Sequence, residues 1–510
     1  MKYLSIVLAM LVLGSCTKLE PKIYSDLTTS NAYSTESDID AALNGVYADL
    51  DPVPGDSYFY YSGYLVMITD YATGEGFSTA AGDPTQMSNF SYDANNQYLT
   101  INWQNMYSLI ANANLLISNI KDVKMSDSTK TLIVAQARFL RALAYRDLTD
   151  AWGPVPMLTT LQDPTTTYDM SLAPVSEVDS LIKADCQFAI ANLPATWTSA
   201  TWKTRATKGA ALMLLGKLYM REHDYTNAKT YIDQLLLMRD EGVYTLNPDF
   251  KNVWSGSNPM DEGTIFCIMH EPAQNGAEIA NEFGPTDNRV VTNRWQYYGV
   301  SLWFWRQYDT ADPRRSFFYY NYEGAAPRDG STSNGFYYMI PNPGETVPPS
   351  DTVKFLQNLA PKKYTYQMIN DSYFDGRTII VMRLSDVILC KAEIENALNG
   401  PAAALPYLNE IRARAGAPQY GQDPRFSLPT TQAEMADKIL AERGFELDFE
   451  YKHRPDLIRF GKYVETCNDY LASRGLSQIV TKDMLYFPYP LVDANLNKAM
   501  AAANLLRLPK

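Results

Sequence analysis

The strongest constraint in this chain is a helix that has to stop. Between Ala135 and Met157 the sequence reads AQARFLRALAYRDLTDAWGPVPM. Leu132, Ala135, Phe139 and Leu143 recur at helical spacing and predict one buried face. Gly153-Pro154-Val155-Pro156 ends that helix, because neither proline has an amide hydrogen to donate and each disfavours helical geometry in the residue before it. A long helix must therefore run into a fixed, extended corner beside Trp152.

Helical periodicity recurs at about 36 to 50, 100 to 120, 176 to 192, 207 to 221, 225 to 238, 384 to 398, 401 to 415 and 432 to 449, with the opening helix read as 129 to 148. Two pairs have the spacing of tetratricopeptide hairpins. Leu215, Gly216 and Tyr219 answer Ala228 and Ile232, and Ala392 answers Ala404, Leu408 and Ile411 across a turn at Gly400-Pro401. Residues 51 to 98 and about 243 to 383 lose this period and collect glycine, proline, asparagine and aromatics. Short strands are expected at Thr264 to Met269 and Thr378 to Met382. The reading is a mainly α fold: one tetratricopeptide-like frame of helical hairpins, about 30 to 242 and 384 to 510, with long loop-rich insertions. Loops of such length in an ordered chain usually carry function.

Lys2, an apolar run from Tyr3 to Leu13, and Leu13-Gly14-Ser15-Cys16 look like a lipoprotein export signal over residues 1 to 15. The apolar run is too short to span a bilayer, and no later run reaches the roughly 20 residues a spanning helix needs. In such sequences the signal is cut before the cysteine, whose thiol takes a diacylglycerol; Cys16 is the expected lipidation site. The formal charge of −13 argues against nucleic acid or anionic lipid as the target. Cys186, Cys267, Cys390 and Cys467 are too far apart in sequence for a CxxC pair. Cys186 and Cys390 read as buried thiols within helices, with oxidation of a pair left open.

The run from Ala135 to Met157 closely resembles a central motif of the SusD/RagB family, the outer-membrane lipoproteins that capture nutrients for a SusC-like, TonB-dependent transporter. Trp103, Tyr107, Ile110, Asn114 and Ile120 resemble the helix before it. RATKGAALMLLGKLY at Arg205, YLNEIRARAG at Tyr407 and ILAERGFELDFE at Ile439 resemble later blocks. The chain departs from the family at Tyr451, Lys452, His453, Arg454 and Pro455, where many relatives have Gly-x-Arg-Trp. The resemblance implies a SusD-like fold in a single domain over 16 to 510. It also implies a lipid-anchored place at the outer membrane, on the cell surface, and a ligand that is a glycan or, as in RagB-like relatives, a peptide.

Catalytic signals are weak. His223, His270 and His453 lie in different segments without metal spacing, there is no GxSxG, and no cofactor or metal is expected. Glu442, Glu446 and Glu450 recur at four-residue intervals, and paired carboxylates can hydrolyse glycosides. With Arg383, Arg412, Arg414, Arg443 and Arg459 available, ion pairing is the favoured reading. Arg138 and Arg141 are read the same way.

Tyrosine, at 36 residues, is the compositional oddity, and much of the aromatic content falls in the insertions. Flat rings meet the C–H faces of sugars, and phenol or indole edges add hydrogen bonds at small entropic cost. The family's glycan binders use aromatics from loops outside the helical frame. That points first to Trp295, Tyr297 and Tyr298 with Asn293 and Arg294 as polar partners, and second to Asp70, Tyr71 and Phe77. Trp303 and Trp305, two apart, would point the same way in an extended segment.

Overall fold

The structure, a computed structural model, describes residues 33–52, 60–78, 80–160, 170–198, 204–256, 258, 260–270, 279–285, 296–323, 337–341, 353–356, 358–366 and 376–507. Cys16, Asn293, Arg294 and Trp295 lie outside the described residues.

The long helices are α1 (Glu36–Ala48), α2 (Gln97–Asn119), α3 (Asp127–Trp152), α4 (Val175–Asn192), α5 (Lys208–Arg221), α6 (Tyr225–Asp240), α7 (Leu384–Asn399), α8 (Pro401–Ala415) and α9 (Gln432–Glu446). Shorter C-terminal helices follow: α10 (His453–Arg459), α11 (Tyr463–Ser473) and α12 (Lys498–Arg507). The helix α3 begins at a Ser126 cap that accepts from Thr129 N, has Asp127 in its first turn, and is enclosed over most of its circumference from Ala135 on.

Its stop is built as the sequence demands. Gly153 has φ +70°, and a Cβ there would stand 2.8 Å from the Tyr486 ring, so only glycine fits. The extended corner beyond has its carbonyls capped. Tyr107 Oη donates to Pro156 O at 2.7 Å, and Asn114 Nδ2 and Tyr145 Oη both donate to Leu158 O at 2.9 Å. The Trp152 indole donates to Pro488 O at 3.0 Å, bringing the C-terminal segment over the corner. About three turns back, Arg141 grips Asp185 of α4 with two 2.8 Å bonds and Asn114 of α2 with a third at 2.6 Å. Three helices are thereby locked by one guanidinium, and Arg138 adds a contact over the Phe188 ring.

Both hairpins form. A Cβ on Gly216 would come within 2.9 Å of Ile232 Cδ1, which is the close approach of α5 and α6 that the repeat spacing requires, and Tyr219 stacks on Tyr231 beside it. In the α7–α8 pair Ala392, Ala404, Leu408 and Ile411 are fully buried. The two expected strands pair with each other, antiparallel, as Thr264–Ile268 and Ile379–Arg383. Cys186, Cys267, Cys390 and Cys467 are all buried and unpaired with one another.

The first insertion differs from its reading as loop. A π-helical turn at Tyr60–Tyr64 runs into Leu65–Thr69, and Asp83–Ser88 is helical too. Here Tyr60 and Tyr61 point inward, both donating to Asp147 Oδ2 at 2.7 Å. The expected end of the last frame helix, at 449, is also corrected. It stops at Glu446, where Leu447 leaves helical geometry at φ −110°, and beyond it Phe449 and Tyr451 take φ of +55° and +65°. Tyr451 holds this left-handed geometry with an edge-on contact to Tyr61 at 5.3 Å and a bond from its hydroxyl to Tyr61 O.

The acidic ladder is consumed by ion pairs. Glu442 meets Arg412 at 2.6 Å and Arg314 at 2.7 Å, Glu446 meets Arg383 at 2.6 Å and also Arg414, and Glu450 meets Arg383 and Lys363, each at 2.7 Å. Arg443 pairs with Asp386 and Asp456, and Arg459 with Glu393. Burial alone would raise the Glu446 carboxyl, but Arg414, Arg383 and Arg314 hold it well below the ordinary range.

Candidate binding cleft

The segment Asp70-Tyr71-Ala72-Thr73-Gly74-Glu75-Gly76-Phe77 is anchored from beneath. The Tyr71 hydroxyl donates to Gly299 O at 3.1 Å. Glu75 Oε1 accepts from Phe449 N at 2.7 Å, and its Oε2 faces His453 Nδ1 at 3.4 Å. Burial raises the Glu75 carboxyl and lowers His453 to about 4, so burial disfavours charge on both. Asp70 accepts from Thr69 Oγ1 at 2.6 Å, and burial pushes it up to about 7.

This anchoring sets a small sheet in place. Strand β1 (Gly76–Phe77) pairs antiparallel with β2 (Gly299–Ser301), which continues to β4 (Asn358–Pro361) and β3 (Phe318–Tyr319). Asn358 welds the sheet by donating to Phe77 O at 2.9 Å while accepting from Gln296 Nε2 at 3.0 Å. Ser301 donates to Gly74 O and caps the short helix Leu302–Trp305 by accepting from Phe304 N at 3.1 Å.

Along the outer rim of this sheet runs an open cleft of about 380 Å³, lined by Phe77, Leu302, Trp303, Arg306, Ser473 and Arg474. The Arg474 guanidinium lies 3.9 Å from the centre of the Phe77 ring and donates to the Tyr470 hydroxyl at 2.9 Å, while Trp303 stands edge-on to Tyr470 at 5.7 Å. Tyr297, 43% exposed, lies two residues before Gly299, its carbonyl accepting from Ser78 Oγ at 2.6 Å. Half-buried Trp303 supplies a ring to the cleft; Arg306 and Arg474 supply donors.

The structure sorts the sequence-derived candidates. Phe77 lines the cleft but is only 7% exposed, so it serves as a floor under Arg474. Tyr71, Asp70 and Tyr298 are corrected: each is enclosed by protein and presents no surface to a ligand here. Tyr298 is wedged between Phe283 at 5.5 Å and Tyr71 at 5.6 Å, with its hydroxyl against that of Tyr98. Trp303 and Trp305 do not point the same way, because the segment is a helical turn. Trp305 turns inward to donate to Arg315 O at 3.0 Å, leaving Trp303 on the cleft. The sequence reading missed Arg306 and Arg474, the latter at the end of a C-terminal helix with no aromatic signal of its own.

A second cleft, of about 390 Å³, opens among α3, α5 and α10. Its cations are already engaged: Arg221 with Asp150 at 2.5 Å, Lys217 with Asp386 at 2.8 Å, Arg459 with Glu393 at 2.7 Å, and Lys452 with two backbone carbonyls. Among the described residues, no group of three His, Cys, Asp or Glu side chains could hold a metal ion, and no helix is long and apolar enough to cross a membrane.

Comparison with known proteins agrees with this architecture. The model of the SusD family matches residues 269–500, and a SusD-like model described as starch-binding and associating with the outer membrane matches residues 19–220. SusD-like protein P2 of Formosa agariphila is 24% identical over 509 residues, covering 96% of this chain and 94% of its own. A SusD homolog from Bacteroides thetaiotaomicron superposes with a TM-score of 0.73 at 22% identity, over 92% of this chain and 97% of that one. A laminarin-binding SusD-like protein superposes at 0.71, also 22% identical, over 91% and 98%. The chain, mainly helical with a few short strands, belongs to the SusD family, whose models match residues 19–220 and 269–500.

Proposed function

We propose that this protein is a cell-surface lipoprotein that binds a glycan without cleaving it and delivers it to a SusC-like TonB-dependent transporter. The observation that carries the binding reading is the cleft itself, where half-buried Trp303, on a short helix capped by the sheet, stands between two exposed arginines. Sugars are met by such surfaces, rings on C–H faces and donors on hydroxyls. The laminarin-binding neighbour supports a carbohydrate ligand over the peptide of RagB-like relatives. Trp295, Asn293 and Arg294 keep the ligand-facing role their sequence suggests. The absence of catalysis is supported by the ladder Glu442, Glu446 and Glu450, whose carboxylates are buried against arginine and lysine rather than facing each other across a cleft. Anchoring rests on Cys16.

The test is a panel of plant, host and microbial polysaccharides, with casein peptides alongside, run by affinity electrophoresis on the purified protein. At least one glycan should be retarded, its chain length unchanged, and Trp303→Ala should abolish the retardation. Release of reducing ends that depends on Glu442 or Glu446 would sink the non-catalytic reading, and retention of peptide alone would move the ligand to the RagB class. Cys16→Ala should abolish labelling by a fatty-acid probe; labelling that persists would remove the anchor.

A further inference from the structure

The residues lining the cleft include two arginines and no carboxylate. Elsewhere arginines are spent on acids: Arg141 on Asp185, Arg314 on Asp312, Arg412 on Glu442, Arg443 on Asp456 and Arg459 on Glu393. Among the described residues neither Arg306 nor Arg474 has an acidic partner within 4 Å. Arg306 donates to Pro341 O at 3.1 Å and Arg474 to the Tyr470 hydroxyl, and both side chains are exposed at the rim. In a chain of formal charge −13, two uncompensated guanidiniums flanking a tryptophan form a local reversal of sign. A guanidinium seated 3.9 Å over the Phe77 ring and tied to the Tyr470 hydroxyl is partly positioned beforehand, which lowers the entropic cost of a planar, two-point contact with an oxyanion.

Resting on the assignment of this cleft as the glycan site, we infer that its ligand is an acidic glycan, whose uronate carboxylate or sulfate ester is held by Arg306 and Arg474 while a neighbouring ring stacks on Trp303. The shared chemistry is an oxyanion on a sugar, and the two sources are separable by probe.

Full-length protein is titrated with polygalacturonate against its fully methyl-esterified form, and with dextran sulfate against dextran. At least one acidic member should bind at least tenfold more tightly than its neutral partner. The acidic probe retained identifies carboxylate or sulfate. Arg474→Gln and Arg306→Gln should each weaken the acidic probe about tenfold, the order expected for loss of a charged hydrogen bond, and weaken a neutral glycan by less. Arg474→Lys, which keeps charge but not the fork, should retain part of the affinity. Equal binding of acidic and neutral partners, no binding of either acidic probe, or indifference to both Gln variants overturns the inference. Trp303→Ala separates the two levels. If it abolishes binding of whichever glycan is retained while the Gln variants change nothing, the cleft stands and the acidic ligand falls. If it changes nothing, the cleft assignment falls, and the inference with it.

Discussion

Arginine does opposite things in two regions of this molecule. In the frame, Arg383 is buried, with one nitrogen on Glu446 and two on Glu450, and Lys363 neutralises what is left. At the cleft, Arg474 is exposed, lies on an aromatic face and has no acid beside it among the described residues. A buried charge must be matched because its desolvation is otherwise uncompensated, whereas a solvated one can wait for a ligand. The contrast teaches that charged side chains report function by what they lack, and that the frame's acids are engaged in pairing.

The comparison can be attacked first where it is strongest. Arg383→Ala leaves Glu446 and Glu450 short of a buried partner and should cost about 3–5 kcal/mol in chemical denaturation, with the folded fraction still binding ligand. Phe139→Ala, which empties a fully buried site against Phe266, should cost about the same by its cavity. If either variant were as stable as the parent, the frame would not be the closed ionic and apolar core described.

Next in size is the cleft. Trp303→Ala should lose roughly 1–3 kcal/mol of binding, by analogy with bases stacked on aromatic side chains, with little change in melting temperature. A large drop in melting temperature with binding intact would return Trp303 to packing.

The last effect is a slope. Asp70 is fully buried and titrates near about 7 in the folded protein against an ordinary 3.8. Its folded value is raised, so stability is highest below the unfolded value and falls as pH rises from about 4 through about 7. Asp70→Asn should remove part of that fall, and Glu75, raised in the same direction, should retain the rest. Melting curves at pH 5 and pH 8 measure it; an Asn variant that loses as much stability across that interval as the parent would exclude Asp70 from the titration.

Legibility followed periodicity. The α8 bounds match their sequence reading, and α3 differs only at its ends, where Ser126 and Gly153 set the caps. Helices α10 to α12 were not read, being short and interrupted by turns. In the cleft, composition gave an abundance of rings but not their direction. A segment without a repeat has no face to assign, so Tyr71 and Tyr298, drawn into the core, were indistinguishable from Tyr297, left outside. Arg474 carried no signal because its significance is the missing partner.

The corner after Trp152 has one more implication, for time. Its indole, the carbonyl of Ala151 and the carbonyl of Pro154 all find their partners between Phe487 and Tyr489, more than 330 residues later in the chain. The central helix can form early, but its terminus cannot be sealed until Phe487 to Tyr489 have been made. Pairings of that sequence separation slow the final folding step. Fluorescence of Trp152 during refolding should report this closure as the late phase.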